Sequence, residues 1–548
     1  MTRMQIEGMT CEGCAGSVAD ALSGAGAETP RVDFEAGEAH FDAPGVSTEA
    51  LRAAVEAAGY RVVAIDDAAA PGGGPVHRGG PRRPSAPDLV VIGSGGAAFA
   101  AAIRARDLGA EVAMCEAATI GGTCVNIGCV PSKALLAAAS ARQVAGQHLF
   151  PGITTTAGPV DLAALVAGKD ELVDQLRFDK YEHLAEEYGF TLLCGRGSFT
   201  AADRFVCDGE EVTAGQFLVA TGASPAVPPI PGLAEAGYLT STTAFELSEL
   251  PSSLVVIGAN AIGLEVGQLF MELGTSVTFL EAASRIAPLD EPEISAALTD
   301  VLRAQGAQVH TSATVTGVER RGMRRVVTFS VGGSELQVEA DQVLVATGRR
   351  PNTAGLGLEA AGVGIGERGA VVVDEFCATS NPRIWAAGDV TGAPQFVYVA
   401  AAQGALAADN AIGKLGRALD WTGLPKVTFT TPQIASVGLT EEEATRAGRR
   451  VETRVLTLDA VPRALVERGT AGLCKIVAEE GQGKILGVHL LARGAGEVIL
   501  AGTYAIKAKM TVTQLAETWA PYLTMAEALK LTAQTFTRDV SRLSCCAA

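Results

Sequence analysis

The chain has 548 residues, of which 48% are hydrophobic, and its formal net charge is −18. This length exceeds what one hydrophobic core supports, so we expect three or more domains. The acidic balance argues against nucleic acid or an anionic membrane surface as the main partner. No apolar stretch approaches the length of a membrane span, and no basic-then-apolar signal region opens the chain, which predicts a cytoplasmic protein without membrane insertion.

Residues 1–66 carry the patterns of a small self-contained unit. Apolar periodicity predicts, in order, strand 4–7, helix 14–22, strands 31–34 and 38–41, helix 48–58 with Ser47 as its cap, and strand 60–65. That order is βαββαβ, the ferredoxin-like sandwich. Residues 67–87 are rich in Pro and Gly and offer almost nothing to bury, so we expect a flexible linker there.

The first cysteine pair, Cys11 and Cys14, lies in the stretch GMTCEGC before the first helix of this unit. Reduced cysteines at such spacings indicate metal binding or redox chemistry. The helix start favours thiolates, and two thiolates suit a soft ion such as Cu(I) or Hg(II) better than tetrahedral zinc. A thioredoxin-like redox pair is the alternative. The unit resembles the heavy-metal-associated domains of copper chaperones and metal pumps, which implies that Cys11 and Cys14 bind metal.

A dinucleotide-binding pattern follows the linker. The buried strand 88–92 leads into GSGGAA and an Ala-rich helix. Gly93 makes the tight turn, Gly95 lets the backbone approach a pyrophosphate, and Ala98 permits close packing of helix on strand. The next strand, 111–115, ends at Glu116, which is placed to hold a ribose hydroxyl.

The same pattern recurs later in the chain, which predicts a second dinucleotide site. Strand 254–257 leads into GANAIG with Gly258 and Gly263, and strand 276–280 ends at Glu281. Glu281 favours NADH because it repels a 2′-phosphate, whereas Arg285 could accommodate that phosphate as in NADPH. We therefore expect NAD(P)H without a choice between the two.

A second cysteine pair lies between these two units, in GGTCVNIGCVPSK. Cys124 and Cys129 are separated by four residues at a helix start, directly after the first dinucleotide fold. With Thr221-Gly222, Thr347-Gly348-Arg349 and IWAAGDV, this stretch resembles the flavin disulfide reductases, the family of lipoamide dehydrogenase and glutathione reductase. The resemblance covers residues 88–548.

This resemblance implies FAD and NAD(P)H as cofactors and assigns roles to several side chains. Cys129 would be the thiolate beside the flavin and Cys124 the thiol that meets substrate. Lys133 and Glu265 match the family's ion pair beside the flavin ring, and Asp389 resembles the acid that holds the ribityl chain. The other cofactor-binding positions implied are Gly121, Thr123, Thr221, Gly222 and Gly348.

The predicted fold class is α/β, with two Rossmann-like dinucleotide-binding domains and an α+β dimerisation domain after the βαββαβ metal-binding domain. The predicted segments of the body are 88–235 and 351–423 for FAD, 236–350 for NAD(P), and 424–548 for dimerisation. In the last segment we expect Phe429-Thr430-Thr431-Pro432 to open a strand.

The C-terminal region departs from the family pattern. In WAPYLTMAEAL, Glu527 is kept, but Tyr522 stands where relatives carry a His that shuttles protons for a disulfide substrate. A phenol with an ordinary pKa near ~10 is a poor proton shuttle at neutral pH. The chemistry therefore does not favour disulfide cleavage.

Tyr181 in FDKYEHL and the terminal pair Cys545-Cys546 in LSCCAA complete a pattern that resembles the mercury-reducing branch of the family. The resemblance implies that Hg(II) passes from small thiols, or from Cys11 and Cys14, to Cys545 and Cys546. That pair would hand it to Cys124 and Cys129 of the opposite subunit of a homodimer for reduction to Hg(0). Two alternatives stay open: a reductase of lipoamide or a glutathione-like disulfide, and a metal-binding chaperone or buffer.

Five further cysteines occupy apolar or strand-like settings, and we interpret each as a single core or incidental residue. They are Cys115, Cys194, Cys207, Cys377 and Cys474.

Overall fold

The computed structural model describes residues 2–7, 12–33, 37–43, 46–58, 60–67, 86–146 and 149–539. The chain divides into two compact units, Met1–Ser85 and Ala86–Ala548. Each has its own hydrophobic core, as the amphipathic patterns of its elements require.

The first unit is a four-stranded antiparallel sheet with two helices. Its elements are β1 (Thr2–Glu7), α1 (Glu12–Gly24), β2 (Glu28–Asp33), β3 (Glu38–Asp42), α2 (Thr48–Ala57) and β4 (Arg61–Asp67). The strand order is β2-β3-β1-β4, and Met4, Phe41, Val18 and Leu51 are buried between sheet and helices. The hydroxyl of Ser47 accepts a hydrogen bond from the N–H of Ala50 at 3.2 Å, as a cap does. The predicted ferredoxin-like sandwich is confirmed.

The second unit begins with a five-stranded parallel sheet. Its early elements are β5 (Leu89–Ile92), α3 (Gly96–Asp107), β6 (Val112–Glu116), α4 (Gly122–Asn126), α5 (Cys129–Gly146), α6 (Leu162–Arg177), α7 (His183–Glu187), β7 (Thr191–Cys194), β8 (Gly197–Ala201), β9 (Arg204–Cys207), β10 (Glu210–Val212), β11 (Gln216–Val219), β12 (Ala223–Pro225), α8 (Leu233–Ala236) and α9 (Ser241–Ala244). The wholly apolar run of β5 is buried, as strands covered on both faces are. An antiparallel sheet of β10, β9 and β8 packs nearby.

A second parallel sheet repeats the arrangement. The next elements are β13 (Ser253–Ile257), α10 (Ala261–Leu273), β14 (Ser276–Leu280), α11 (Pro292–Ala304), β15 (Gln308–His310), β16 (Ala313–Arg321), β17 (Arg324–Val331), β18 (Ser334–Ala340), β19 (Gln342–Val345), β20 (Arg349–Pro351), β21 (Ile384–Ala386) and α12 (Val397–Ala411). The strand order is β15-β14-β13-β19 in this sheet and β21-β11-β5-β6-β7 in the first. In both sheets the two strands of the first βαβ unit are parallel neighbours, so their carboxyl ends lie on the same side. In folds of this kind a dinucleotide binds outside these carboxyl ends.

The C-terminal region is an antiparallel sheet with helices. It contains β22 (Pro425–Thr428), β23 (Gln433–Gly438), α13 (Glu441–Arg446), β24 (Val451–Thr457), α14 (Pro462–Glu467), β25 (Leu473–Glu479), β26 (Ile485–Ala492), α15 (Ala495–Lys507), α16 (Val512–Glu517) and α17 (Glu527–Gln534). The expectation that residues 429–432 open a strand is wrong. They connect β22 to β23, and the second of these strands begins only at Gln433.

The finer division of the body into segments 88–235, 236–350, 351–423 and 424–548 stays a prediction. The described part of the second unit is compact as a whole.

One helical segment, Gly122–Gly146, is long and apolar enough to cross a membrane by length and composition alone. This finding corrects the expectation that no stretch reaches that length. Core helices of globular domains pass the same test, and Leu135 and Ala139 of this segment are buried in a core shared with α10. One face of this segment therefore packs against α10.

A buried cation joins the second parallel sheet's region to the C-terminal sheet. The ammonium of Lys475 on β25 lies 2.9 Å from Glu291, 2.9 Å from Glu293 and 2.8 Å from Glu441, and its side chain is 1% exposed. Burial disfavours the charge, but the three carboxylates outweigh burial and hold the pKa of Lys475 above its ordinary range.

We predict that Lys475→Met destabilises the protein by about 3–5 kcal/mol, because Glu291, which is 2% exposed, is left as an uncompensated buried carboxylate. Lys507→Met is the matched control. Its partner Asp420 lies 3.3 Å away with both side chains exposed, so solvent screens the pair and the loss of stability should be much smaller. Urea unfolding of both variants at pH 7.5 measures the difference. Equal midpoints for the two variants would contradict a stabilising role for Lys475.

The Lys475 cluster also predicts how the stability of the protein changes with pH. A raised lysine pKa contributes stability that is complete below the ordinary value near ~10.4 and is lost as pH rises through the folded value. The difference in free energy of unfolding between the wild type and Lys475→Met should therefore become smaller only in strongly alkaline solution.

Candidate active site

The first glycine turn is shaped for close backbone approach. Gly93 has φ +109°, and a Cβ there would lie 2.5 Å from the carbonyl oxygen of Ala220. Gly95 precedes α3 and no side chain caps the first turn of that helix, which leaves its N–H groups for an anion. Ala98 is fully buried where α3 packs on the sheet. All three positions fit the pyrophosphate-binding role predicted for them.

Glu116 lies at the end of β6 beside this turn. Ser94 donates a hydrogen bond to its Oε2 at 2.5 Å, and the N–H of Ala118 donates to its Oε1 at 2.8 Å. The hydroxyl of Ser94 also accepts from the N–H of Gly121 at 3.1 Å. Ser94 therefore ties Glu116, the predicted ribose-binding acid, to the loop that leads into α4 and the cysteine pair.

The remaining flavin-site candidates come together from distant parts of the chain. The hydroxyl of Thr221 donates to the carbonyl of Asn352 at 2.7 Å, and the N–H of Asn352 donates to the carbonyl of Gly222 at 2.9 Å. Asp389 begins a single 3-10 turn after β21, with its carboxylate 3.9 Å from the guanidinium of Arg349. Burial raises the pKa of Asp389, and Arg349 opposes that shift. Thr123 lies in α4, and Gly348 has φ +122° directly before Arg349.

The second glycine turn is equally tight. A Cβ at Gly258 would lie 2.6 Å from the carbonyl oxygen of Ala346, and one at Gly263 would lie 1.9 Å from the carbonyl oxygen of Gly258. Glu281 follows β14 and is buried. Its two oxygens accept from the N–H groups of Ala259 and Ala283, each at 2.7 Å. The acid is thus fixed against the turn that faces the nucleotide.

Arg285 contacts its own loop through one nitrogen of its guanidinium. Its guanidinium donates to the carbonyls of Pro288 at 2.9 Å and Asp290 at 3.1 Å. These two bonds orient the guanidinium within the segment 285–290.

Cys124 and Cys129 are free thiols at the junction of α4 and α5. The hydrogen bond from Cys124, followed by the charge of Lys133, lowers the pKa of Cys129 to about 7 against the opposing effect of burial. The same hydrogen bond and burial raise the pKa of Cys124. At neutral pH a large fraction of Cys129 is therefore a reactive thiolate, whereas Cys124 stays a thiol that donates to it.

Lys133 forms the ion pair predicted for it, with its ammonium 2.7 Å from Glu265. The other oxygen of Glu265 accepts from the backbone N–H of Phe429 at 2.8 Å, and the ammonium lies 4.5 Å from the centre of the Phe429 ring. The loop between β22 and β23 therefore fixes both members of the pair.

Tyr181 lies beside the redox cysteines. It occupies a π-helical turn, Phe178–Glu182, between α6 and α7, and its ring meets the Phe99 ring edge to face at 4.8 Å. Gly121 makes room for this ring, since a Cβ there would lie 3.3 Å from it. Burial, then the charges of Cys124 and Cys129, raise the pKa of Tyr181, so the phenol stays protonated.

Tyr522 lies in the connection between α16 and α17, and Glu527 is the first residue of α17. Glu527 is buried and its Oε2 accepts from the N–H of Leu523 at 2.8 Å, whose φ is +60°. Tyr522 is 49% exposed. The acid therefore fixes the loop that presents the tyrosine on the surface of the C-terminal region.

Two of the three predicted cysteine pairs lie at least partly outside the described residues. Cys11, Cys545 and Cys546 are outside them, and Cys14 belongs to α1 but its side chain is not described. In residues 2–539, with the gaps given above, there is no group of three or more His, Cys, Asp and Glu that could hold a metal ion.

The interpretation of Cys115 and Cys207 as single residues is wrong. Their Sγ atoms lie 2.9 Å apart in the core of the first nucleotide-binding region. The two are 92 positions apart, and sequence periodicity carries no signal for such a contact.

Sequence reasoning also missed Ser94, Asn352 and Phe429. Ser94 and Asn352 act through short polar side chains in turns, a role that composition does not distinguish from ordinary loop residues. The contribution of Phe429 is partly a backbone N–H, which every residue except proline carries.

Comparison with known proteins agrees with this geometry. Residues 87–404 match the family Pyridine nucleotide-disulphide oxidoreductase, residues 424–533 match its dimerisation domain, and residues 3–61 match the Heavy-metal-associated domain. The solved flavoprotein disulfide reductase RclA from Escherichia coli, as its Cu(II) complex, aligns with 83% of this chain and 100% of its own, at 30% identity and a TM-score of 0.75. LpdA from Mycobacterium tuberculosis aligns with 82% of this chain at 28% identity and a TM-score of 0.73.

Three curated relatives are similar along most or all of the chain. A mercuric reductase from Staphylococcus aureus is 48% identical over 545 residues, covering 100% of this chain and 99% of its own length. One from Streptomyces lividans is 56% identical over 84% of this chain and 98% of its own. One from Shigella flexneri is 44% identical over the whole of both chains.

The two dinucleotide folds and the cysteine pair at the start of α5 define a pyridine nucleotide-disulphide oxidoreductase, a class that uses FAD and NAD(P)H. Within that class, this chain belongs to the mercuric reductase family.

We predict that Lys133→Met raises the pKa of Cys129 above about 7, because the thiolate loses the charge of a cation that stabilises it. The rate of iodoacetamide labelling at Cys129 in the dithiol-reduced protein, followed against pH by peptide mass spectrometry, gives the midpoint. Lys180→Met, at an exposed position one residue before Tyr181, is the control and should leave the midpoint of labelling unchanged. An unchanged midpoint in Lys133→Met would rule out this electrostatic role.

Proposed function

We propose that this chain catalyses the reduction of thiol-bound Hg(II) to Hg(0) with NAD(P)H. In balanced form, Hg(SR)2 and NAD(P)H with one proton give Hg(0), NAD(P)+ and two RSH. The observation that carries the proposal is the similarity to mercuric reductases along the full chain, including the heavy-metal-associated domain. FAD supplies two-electron transfer between the nicotinamide and the cysteine pair when it is bound.

The residues around Cys124 and Cys129 suit a soft-metal substrate. Hg(II) prefers two thiolates and exchanges one for another, so the Cys129 thiolate can displace a small thiolate from the incoming complex. Cys124 must lose its proton to bind as the second ligand, and that proton can go to the departing thiolate. The phenol of Tyr181 stays protonated and can donate a hydrogen bond to sulfur at this step.

We further propose that Hg(II) reaches this pair by a thiol relay, through Cys11 and Cys14 and through Cys545 and Cys546. The protein would act as a homodimer in which Tyr522 and Glu527 complete the partner's site, and the dimerisation domain at residues 424–533 supports this assembly. Thiols at both ends of the relay need a reducing compartment, which supports a cytoplasmic location without membrane insertion.

The proposal is tested by trapping mercury vapour from purified full-length protein given NADH or NADPH, Hg(II) and excess small thiol. Vapour release should need both Cys124 and Cys129. The double variant Cys545→Ala, Cys546→Ala should lose about a hundredfold in turnover of thiol-bound Hg(II), because the substrate is no longer positioned, while its flavin is still reduced.

Cys194→Ala, which removes an exposed cysteine outside the three pairs, is the matched control and should turn over normally. No vapour from the wild type would refute the proposal. Rapid reduction of lipoamide or glutathione disulfide in its place would support the disulfide-reductase alternative.

We also propose that NADH is the preferred coenzyme. Glu281 is buried and fixed by two backbone N–H groups at the turn that receives the adenosine ribose. A 2′-phosphate would meet this carboxylate in a poorly solvated place, where like charges repel strongly. Arg285, the cation that could offset the repulsion, is engaged by the carbonyls of Pro288 and Asp290.

Binding of ADP-ribose and of 2′-phospho-ADP-ribose, measured by calorimetry, tests this preference without turnover. ADP-ribose should bind more tightly to the wild type, and Glu281→Gln should cut the difference by about tenfold, which is ~1.4 kcal/mol. Arg285→Ala should leave the ratio unchanged. If the wild type binds the phosphorylated ligand more tightly, or if only Arg285→Ala changes the ratio, NADPH is the coenzyme and the assignment of Glu281 is wrong.

A further inference from the structure

Two buried sulfur atoms outside the active site lie closer together than two sulfur atoms in ordinary van der Waals contact. Cys115 is on β6 of the first parallel sheet, and Cys207 is on β9 of the adjacent antiparallel sheet. Their Sγ atoms are 2.9 Å apart, and both residues are buried, at 2% and 6% exposure. A disulfide bond needs the sulfurs at about 2.05 Å, so only a small further approach is required.

The surrounding residues leave room for this contact and for little else. Gly197 on β8 pairs with Cys207 across the antiparallel sheet. A Cβ at Gly197 would lie 3.0 Å from the sulfur of Cys115 and 2.2 Å from the ring of Phe205. The glycine therefore provides the space in which the sulfur of Cys115 reaches Cys207.

The site does not suit the metal chemistry of the active-site pair. Two thiolates that bind Hg(II) take opposite sides of the ion in a near-linear arrangement, so these sulfurs would have to move apart in a packed core. Burial is the main cause that raises the pKa of the Cys115 thiol, and the hydrogen bond to Cys207 adds to it. Unlike Cys129, this thiol stays protonated at neutral pH.

We propose that Cys115 and Cys207 are a second, structural dithiol that closes to a disulfide when the protein meets a peroxide. One thiol ionises when local opening of the core admits peroxide, and its thiolate reacts with hydrogen peroxide to give a sulfenic acid and hydroxide, which takes up the released proton to form water. The other thiol then condenses with the sulfenic acid, and a second water leaves as the S–S bond forms. Two thiols and one peroxide thus give one disulfide and two waters. This step is independent of the mercury chemistry proposed above.

The bond would enclose the segment that carries the redox machinery. Cys124, Cys129, Lys133 and Tyr181 all lie between positions 115 and 207. Closing this long loop reduces the conformational freedom of the unfolded chain, which favours the folded state. The cross-link would therefore stabilise the redox region under oxidising conditions, when Cys124 and Cys129 are themselves converted to a disulfide.

The experiment uses the full-length holoenzyme, first reduced, then exposed to hydrogen peroxide in the native state and quenched with catalase. Alkylation in denaturant and digestion without reduction then allow peptide mapping by mass spectrometry. The proposal expects a peptide linked through Cys115 and Cys207 in the wild type and in the control Cys194→Ser, which removes the exposed cysteine on the neighbouring strand β7. It also expects a higher Tm for the oxidised than for the reduced protein, a shift absent in Cys207→Ser.

The Cys124–Cys129 peptide serves as the internal control for oxidation. The proposal is overturned if that peptide is fully linked while Cys115 and Cys207 are recovered as separately alkylated peptides. It is equally overturned if Cys115 is recovered linked to Cys194, or if either core cysteine is recovered as a sulfinic acid. Because the wild type alone decides these outcomes, poor folding of Cys207→Ser cannot obscure the result.

Discussion

The hydrogen-bonded ion pair of Lys133 and Glu265 is the contact on which the rest of the redox centre depends. It joins the helix of the cysteine pair to the helix of the second nucleotide fold, and the N–H and ring of Phe429 add the C-terminal region. Three parts of the chain are thus fixed to one another through Lys133, which lies on the same helix as Cys129. The same ammonium lowers the pKa of Cys129, so the contact that positions the thiolate also helps to form it.

The two nucleotide folds each place an acid after the second strand, but the two acids are held by different partners. In each, an acid at the end of the second strand accepts from a backbone N–H two residues later, at Ala118 or Ala283. In the first fold, the other oxygen of Glu116 binds a side chain, Ser94, which leads to the redox loop. In the second, the other oxygen of Glu281 binds the turn itself. The first acid is thereby coupled to the cysteine segment and the second only to its nucleotide turn.

Sequence patterns predicted the parts of the fold that depend on local periodicity. The βαββαβ unit, both glycine turns and strand 276–280 agree with the structure because apolar alternation and glycine requirements are local. The wrong predictions concern contacts between residues far apart in the sequence, or the backbone path of a connecting segment. Residues 429–432 have β-branched and aromatic side chains typical of a strand, but they connect β22 to β23, and the N–H of Phe429 is used by Glu265. The short distance between the sulfur atoms of Cys115 and Cys207 depends on how two sheets pack against each other. A local stretch of sequence carries no information about such packing.

Environment, not residue type, separates the two cysteine pairs in the described body. Cys124 and Cys129 lie at a helix start next to an ammonium, where one thiolate is stable and can exchange ligands with a soft ion. Cys115 and Cys207 lie among aromatic side chains such as Phe205, where burial keeps the Cys115 thiol neutral. A protein that handles Hg(II) must keep thiols in its core from competing for the ion. Burying the two sulfurs against each other achieves this, because binding the ion would require charge and space that the packed core does not provide.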